Sequence, residues 1–439
     1  MTECVTWPPQ NASGDVGERW RHTHHTHHAD HDDHADHTDH TDHGRRDVPS
    51  DEQRVRACCR ELLAANDPRA TSAVAFLGAQ FDHGLAWVHF AEGDGGLGVS
   101  PRLQNVVNAT LLAAGAPHPY ARNPIGYGMG APTIATHGSP AQRRRYLRPL
   151  FTGEEIWCQL FSEPGAGSDV ASLATRAVRD GDEWVVDGQK VWTTLAHVAR
   201  FGMLLARTDP EALKHKGLTY FVVDMHAAGV EVRPLVQMTG DAEFNEVFLH
   251  EVRIPDAERL GDVGEGWRVS VTTLMNERVS IGGQVNPRGS GPIALAMKVW
   301  ERTDRRDVAA RDELTRLWIA AEVNRLTNLR ASQNRQKGTP GPEGSVGKLA
   351  MAELNKEMMS FVVNLMGPEG TLYGGYTMER PTTAMDLSNP QKAFLRVQAN
   401  SIEGGTTHIM KNILGERVLG LPGEPRVDKD VAWSRVPRG

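Results

Sequence analysis

The sequence predicts an α+β protein of several domains, with an N-terminal helical domain, a central antiparallel β domain and a C-terminal helical bundle. Three observations predict it. Apolar residues recur at helical spacing from Asp51 to about Leu150, strand-like segments follow Glu155, and helical periodicity returns after Gly266 and runs to about Leu419. A chain of 439 residues is also too long for one small domain. The boundaries drawn from these changes are a tail at 1–50, helices at 51–155, strands at 156–265, a helical bundle at 266–422 and a second tail at 423–439.

Each element has its own signal. Val55, Cys58, Cys59 and Leu62 fall at i, i+3, i+4 and i+7, which places them on one helix face. Ser139-Pro140 reads as a cap and first helical position for the basic amphipathic run that ends at Leu150. GDGGLG at Gly93 and GYGMG at Gly126 read as loops between helices. In EWVVDGQKVWTT (Glu183–Thr194), Asp187-Gly188 predicts a hairpin turn between two β-rich arms. LTYFVVDM from Leu218, VEVRPLV from Val230 and FNEVFLHEVRIP from Phe244 continue the strand pattern. GTPGPEGSVG at Gly338 and MGPEG at Met366 break the later helices.

Composition bounds the function. A hydrophobic fraction of 39% with 23% charged residues suits a globular protein. No apolar run reaches the roughly 20 residues of a membrane span. The net charge of -7 argues against a nucleic-acid partner, because such binding rests on neutralising phosphates. Cys4, Cys58, Cys59 and Cys158 show neither zinc spacing nor a disulfide framework, so a reducing cytoplasm is expected and no metal site is assigned. Arg21–Asp47 is almost wholly His, Asp and Thr, with nothing to bury. A solvated tail with incidental metal affinity is expected there.

The chemistry-bearing stretch is WCQLFSEPGAGSD, from Trp157 to Asp169. Pro164 stops a preceding element from running on, while Gly165 and Gly167 let a ligand approach the backbone closely. Ser162 and Ser168 supply hydroxyls on either side. Such a turn can aim N–H groups at a polar cofactor edge or a phosphate. Composition alone favours a tight connecting loop.

With GQKVWTT (Gly188–Thr194) behind it, this string resembles the acyl-CoA dehydrogenase family. ERLGDVGEGWRV from Glu258, TLMNERVSIGG from Thr273, MGPEG from Met366 and IEGGTTHIMKNILGERVLGLP from Ile402 follow in the family's order. The resemblance spans about Asp51 to Pro422 and implies the same three-part fold. It implies FAD as cofactor and oxidation of an acyl-CoA thioester to the trans-2-enoyl-CoA. Electrons would pass to an electron-transfer flavoprotein, and the assembly would be a homo-oligomer or a heteromer with a related chain. By resemblance, Gln159, Phe161, Ser162, Trp192, Thr193, Thr194, Gly367, Thr406 and Thr407 meet the flavin. Ser168, Arg278 and Gly404 meet substrate, with the Gly404 N–H donating to the thioester oxygen.

That reaction needs a carboxylate whose proton affinity is raised in a dry pocket, and preorganised donors at the carbonyl. Family members place the base either just before a Gly-Thr pair near the C-terminus or on an early helix of the last domain, before an Arg. Here Gly404 stands before Gly405-Thr406, and Glu403 lies one place early. Glu277, before Arg278, occupies the other position and is expected to be the base. Glu403 is the alternative, and a surface role for Glu277 is the bland reading.

The sequence departs from the family in three places. The usual Arg-x-x-Phe-Gly string is missing from Lys298–Asp312, where neither Arg305 nor Arg306 is assigned its role. Asn364 stands where a Gln often meets the cofactor, and His408 follows Thr407 without an assigned role. Competing functions are a flavin oxidase or monooxygenase on the same fold, one subunit of a heteromeric dehydrogenase, and a non-enzymatic protein that buffers metal through the His-rich tail.

Overall fold

A computed structural model describes residues 49–282, 285–336, 343–383, 388–426 and 428–436. The His/Asp run and the metal affinity expected of it lie outside the described residues, as does Gly283. The described chain opens with helices α1 (Asp51–Ala65), α2 (Ala73–Asp82), α3 (Gln104–Ala113), α4 (Ala131–His137) and α5 (Pro140–Thr152). The predicted stripe on α1 buries Val55, Cys59 and Leu62, with Cys58 at its edge. They pack with Phe76, Val107 and Leu111. Ser139 caps α5 as expected, in a reciprocal box with Gln142 behind Pro140. The Gln142 amide also donates to the carbonyls of Ala257 and Arg259, at 2.9 and 3.0 Å, so the cap ties α5 to the strand domain.

GYGMG is not a loop. Gly126–Gly130 winds into a π-helical turn that runs on into α4. A Cβ on Gly128 would sit 2.6 Å from Ser280 Oγ, so the glycine is present because a later helix presses against this turn. Reading glycine as a helix breaker missed that contact.

The strands are β1 (Trp157–Leu160), β2 (Arg176–Asp180), β3 (Glu183–Thr194), β4 (Phe201–Arg207), β5 (Leu218–Asp224), β6 (Val230–Leu235), β7 (Phe244–Pro255) and β8 (Arg259–Leu260). They form one sheet in the order β6-β7-β3-β2-β4-β5-β8, with β1 also pairing to β4. Most pairs are antiparallel as expected; β1 runs parallel to β4, so the sheet is mixed. Residues alternate between two apolar clusters, as period-2 geometry requires. Trp157, Met203, Tyr220 and Val222 join the N-terminal helices on one face, while Cys158, Leu204, Phe221 and Val223 join Val186, Val247 and Val252 on the other. β4 is therefore buried along its whole length.

The expected hairpin at Asp187-Gly188 does not form. β3 continues through it, and the turn lies earlier, at Gly181 between β2 and β3. At Gly188 the β3–β7 register shifts, and a Cβ there would meet Thr175 Oγ1 at 2.3 Å. Asp187 accepts from the Glu251 N–H at 3.0 Å, where β7 carries a positive φ of 50°. An Asp-Gly pair serves a bulge here instead of a reversal.

The last part comprises α6 (Gly266–Gly282), α7 (Pro292–Arg302), α8 (Val308–Gln336), α9 (Glu343–Met366), α10 (Pro390–Arg396) and α11 (Thr407–Arg417). Ile293, Leu317, Met358, Val362, Ala393 and Val397 form a core shared by α7, α8, α9 and α10. Among the described residues, no helix is long and apolar enough to cross a membrane.

Candidate active site

α6 carries Glu277 to the junction of the helical and strand parts. Thr273 is fully buried, where its hydroxyl meets Thr133 of α4 at 2.9 Å and Tyr220 of β5 at 3.0 Å. Glu277 is four residues on, hence on the same helix face. It lands beside β1, where Gln159 Nε2 donates to Glu277 Oε2 at 3.2 Å. Ser280 completes the face against Gly128 and donates to Tyr120 Oη at 3.2 Å. Glu277 keeps some solvent access yet is densely surrounded by protein. Burial pushes its carboxyl above the usual carboxylate range. The Gln159 hydrogen bond and Arg278 oppose that rise, and the negative charge of Glu403 adds to it.

Glu403 is held differently. Arg396 reaches it with both terminal nitrogens, at 3.2 and 2.9 Å, and Asn400 Nδ2 donates at 2.6 Å. The same Arg396 bonds Glu243 at 3.0 Å. With its carboxylate so engaged, Glu403 braces the turn that follows it. Gly404 and Gly405 there have φ of 64° and 92°, conformations that side chains rarely adopt. Lys348 of α9 is fully buried nearby and donates to the Asn400 carbonyl at 2.7 Å.

The SEPGAGSD loop is stapled from inside by a buried ion pair. Lys190 Nζ donates to Glu163 Oε1 at 2.8 Å and to the carbonyls of Phe161 and Leu205 at 3.1 and 2.9 Å. Glu163 also accepts from the N–H groups of Ala174 and Thr175, at 2.6 and 2.9 Å. Burial alone would raise the Glu163 carboxyl; Lys190 and these donors outweigh it and hold the group below its ordinary value. Sequence reading passed over this pair, because a buried Glu or Lys looks like a surface one in a string of letters.

The expected flavin contacts are placed as follows. Trp192 is 58% exposed with φ of 60°, an indole displayed at the end of β3 with its edge against Phe244. Phe244 in turn lies under the Arg396 guanidinium, which links Trp192 to the Gly404 turn. Gln159 Oε1 and Thr193 Oγ1 are buried polar atoms with no protein partner. Thr194 and Ser162 are half-buried. The Phe161 side chain lies in the core, packed edge-on to Tyr220. Thr406 caps α11 by accepting from the Ile409 N–H, and the Thr407 hydroxyl donates to Glu353 at 3.0 Å. Gly367 follows α9 with φ of 65° under the Arg305 guanidinium, whereas Arg306 folds onto the Glu301 and Thr303 carbonyls. A displayed indole, unpaired amide and hydroxyl oxygens, and glycine turns suit a flat cofactor with polar edges, and so fit FAD.

Fold and site together suit a flavin-binding protein. Family models for the acyl-CoA dehydrogenase N-terminal, middle and C-terminal domains match residues 52–154, 158–252 and 264–419. The chain belongs to the acyl-CoA dehydrogenase family, whose members are FAD-dependent. It is 41% identical over 328 residues to acyl-CoA dehydrogenase FadE34 of Mycobacterium tuberculosis, covering 74% of this chain and 43% of that protein. The chain thus spans less than half the length of FadE34. It is 37% identical to acyl-CoA dehydrogenase IpdE1 of the same organism, covering 78% of this chain and 86% of that one. Among solved structures, the Tcur3481-Tcur3483 steroid ACAD matches with a TM-score of 0.65 at 25% identity, over 86% of this chain and 99% of that chain. The ChsE4-ChsE5 complex from Mycobacterium tuberculosis matches with a TM-score of 0.64 at 25% identity, over 87% and 100% of the two chains.

Proposed function

We propose that the chain oxidises an acyl-CoA thioester to the trans-2-enoyl-CoA, with Glu277 as the base that removes the α-proton. The supporting observation is the meeting of Glu277 and Gln159: a carboxylate of raised proton affinity touches the strand that leads into the SEPGAGSD loop. When bound, FAD accepts the electron pair that leaves the β-carbon. The chain's own residues do the rest. Trp192 packs on the cofactor face, with Gln159, Ser162, Thr193 and Thr194 offering polar partners along its edge. The Gly404 N–H would donate to the thioester carbonyl oxygen and favour charge developing there. Glu403 stays bound to Arg396, so the two carboxylates divide their roles: one takes the proton, the other braces the turn.

The test is an absorbance spectrum of the purified protein, followed by anaerobic titration with straight, branched and sterol-derived acyl-CoAs. Bleaching of the flavin band by at least one of them is expected. Tight CoA binding without bleaching by any acyl-CoA would defeat the reading. Oxygen uptake during turnover separates an oxidase or monooxygenase from a dehydrogenase that passes electrons to an electron-transfer flavoprotein. Bulky acyl groups are proposed as the preferred class, supported by the likeness to a steroid enzyme. The two-chain names of the solved relatives support testing for a related partner chain as well as for self-association.

Removing the displayed indole should loosen the cofactor. In Trp192→Ala, FAD affinity is expected to fall about tenfold, the loss of one aromatic stacking contact. Flavin released on dilution and read by fluorescence measures it; wild-type retention would remove Trp192 from the cofactor site.

A further inference from the structure

The segment after α11 returns to the strand domain and fastens itself beside the SEPGAGSD loop. Ala432 bridges to Leu213, and the Trp433 and Ser434 N–H groups donate to the carbonyls of Ala212 and Pro210, both at 2.9 Å. The Trp433 indole N–H donates to the Ser172 carbonyl at 3.2 Å, and its ring lies 4.5 Å from the Arg207 guanidinium carbon. That guanidinium donates to the carbonyls of Ala171 and Lys214, at 2.6 and 2.8 Å. Asp428 pairs with Lys214, which also holds Asp169 at 3.0 Å, and Asp169 accepts from the Ser172 hydroxyl. The hydrogen bond from Arg426, with Lys214 beside it, keeps the Asp428 carboxyl far below the usual range.

These contacts converge on one turn. Pro164, Gly165, Gly167, Ser168 and Asp169 are exposed, and neither glycine has an atom within 4 Å of where a Cβ would be. The inner end of this rim is fixed by Glu163 and Lys190. Its outer end, Asp169–Leu173, is fixed by Lys214, Arg207 and the returning segment. The geometry points to residues 428–436 as a positioning strap for the loop that receives the CoA portion of the substrate, with Trp433 and Asp428 acting through the 169–173 turn and without touching substrate. This rests on the acyl-CoA reading above. Polar groups on a rim bind a long flexible ligand well only when their backbone is held in place beforehand.

The test uses the flavin-loaded full chain. CoA affinity is measured by calorimetry, and turnover is compared for an acyl-CoA and for the matching acyl-pantetheine, which lacks the nucleotide. Trp433→Ala is expected to weaken CoA binding about tenfold, raise KM for acyl-CoA to match and leave kcat within about twofold, the size of one cation–π contact and one hydrogen bond. Acyl-pantetheine kinetics should not move, and Trp433→Phe should recover part of the affinity through the retained ring. Asp428→Asn gives the same split at lower amplitude and carries the test if Trp433→Ala does not fold. Unchanged CoA affinity in both variants, or equal losses on the two substrates, overturns the strap. A wild type that binds CoA but is bleached by no acyl-CoA overturns the dehydrogenase reading alone, since CoA affinity still judges the strap. A wild type that binds no CoA overturns both.

Discussion

Glu277→Gln is expected to keep FAD bound and lose reductive bleaching, with turnover falling on the order of 10²- to 10⁴-fold, the usual contribution of a positioned base. The amide fills the same volume and retains the contact with Gln159, but accepts no proton. Stopped-flow absorbance under anaerobic conditions reads the loss, and normal bleaching would assign the base elsewhere. The pH dependence has a definite sign. A base of raised pKa is protonated over a range where ordinary carboxylates are charged, so wild-type kcat/KM should fall as pH drops through that raised value. Stability runs the other way. The folded state holds this proton more tightly than the unfolded one, so ionised Glu277 costs stability as pH rises above the ordinary carboxylate value. Glu277→Gln should therefore unfold at a higher temperature than wild type near neutrality, by on the order of 1 kcal/mol, with the advantage vanishing in acid.

Lys190→Met should be the most damaging structural change. It leaves the Glu163 carboxylate buried with its cation removed, together with the Phe161 and Leu205 carbonyls that Lys190 satisfied. Losing one partner of a buried pair costs about 3–5 kcal/mol, and urea denaturation would show it as a lower midpoint with a similar slope. Because the Glu163 carboxyl lies below its ordinary value in the fold, its ionisation favours the folded state above the unfolded carboxylate pKa, while burial lowers the proton affinity of Lys190 and works against the pair. The Glu163 contribution fades as pH falls through the depressed value. A Lys190→Met variant as stable as wild type would show that the loop does not depend on this staple.

Legibility in the sequence followed the kind of information each feature uses. Val55, Cys59 and Leu62 were readable because burial on one helix face leaves a period. Ser139-Pro140 was readable because caps are local. The helix–strand–helix order was readable for the same reason. Asp187-Gly188 and GYGMG misled because their glycines answer distant neighbours, Thr175 and Ser280, and no short-range rule reports a partner far along the chain. At the site, Gln159 and Glu277 were each picked out by resemblance, but their contact spans 118 positions and appears only in three dimensions. Lys190, Arg396 and Lys348 were invisible as functional groups. Charge is normally solvated, and nothing in the letters marks the few charges that burial has made structural.

The alternation of β4 and β5 between two apolar clusters has a kinetic meaning. Met203 and Tyr220 belong to the same core as Trp87 and Phe151 of the helical part, while Leu204 and Phe221 belong to the core under β7. Neither face can open without exposing a strand that also supports the other. The amide protons of these two strands should therefore exchange with solvent only when the whole unit unfolds, at a rate set by global stability. Hydrogen exchange followed by mass spectrometry would then show a rigid slab, with Glu277 against its β1 edge through Gln159.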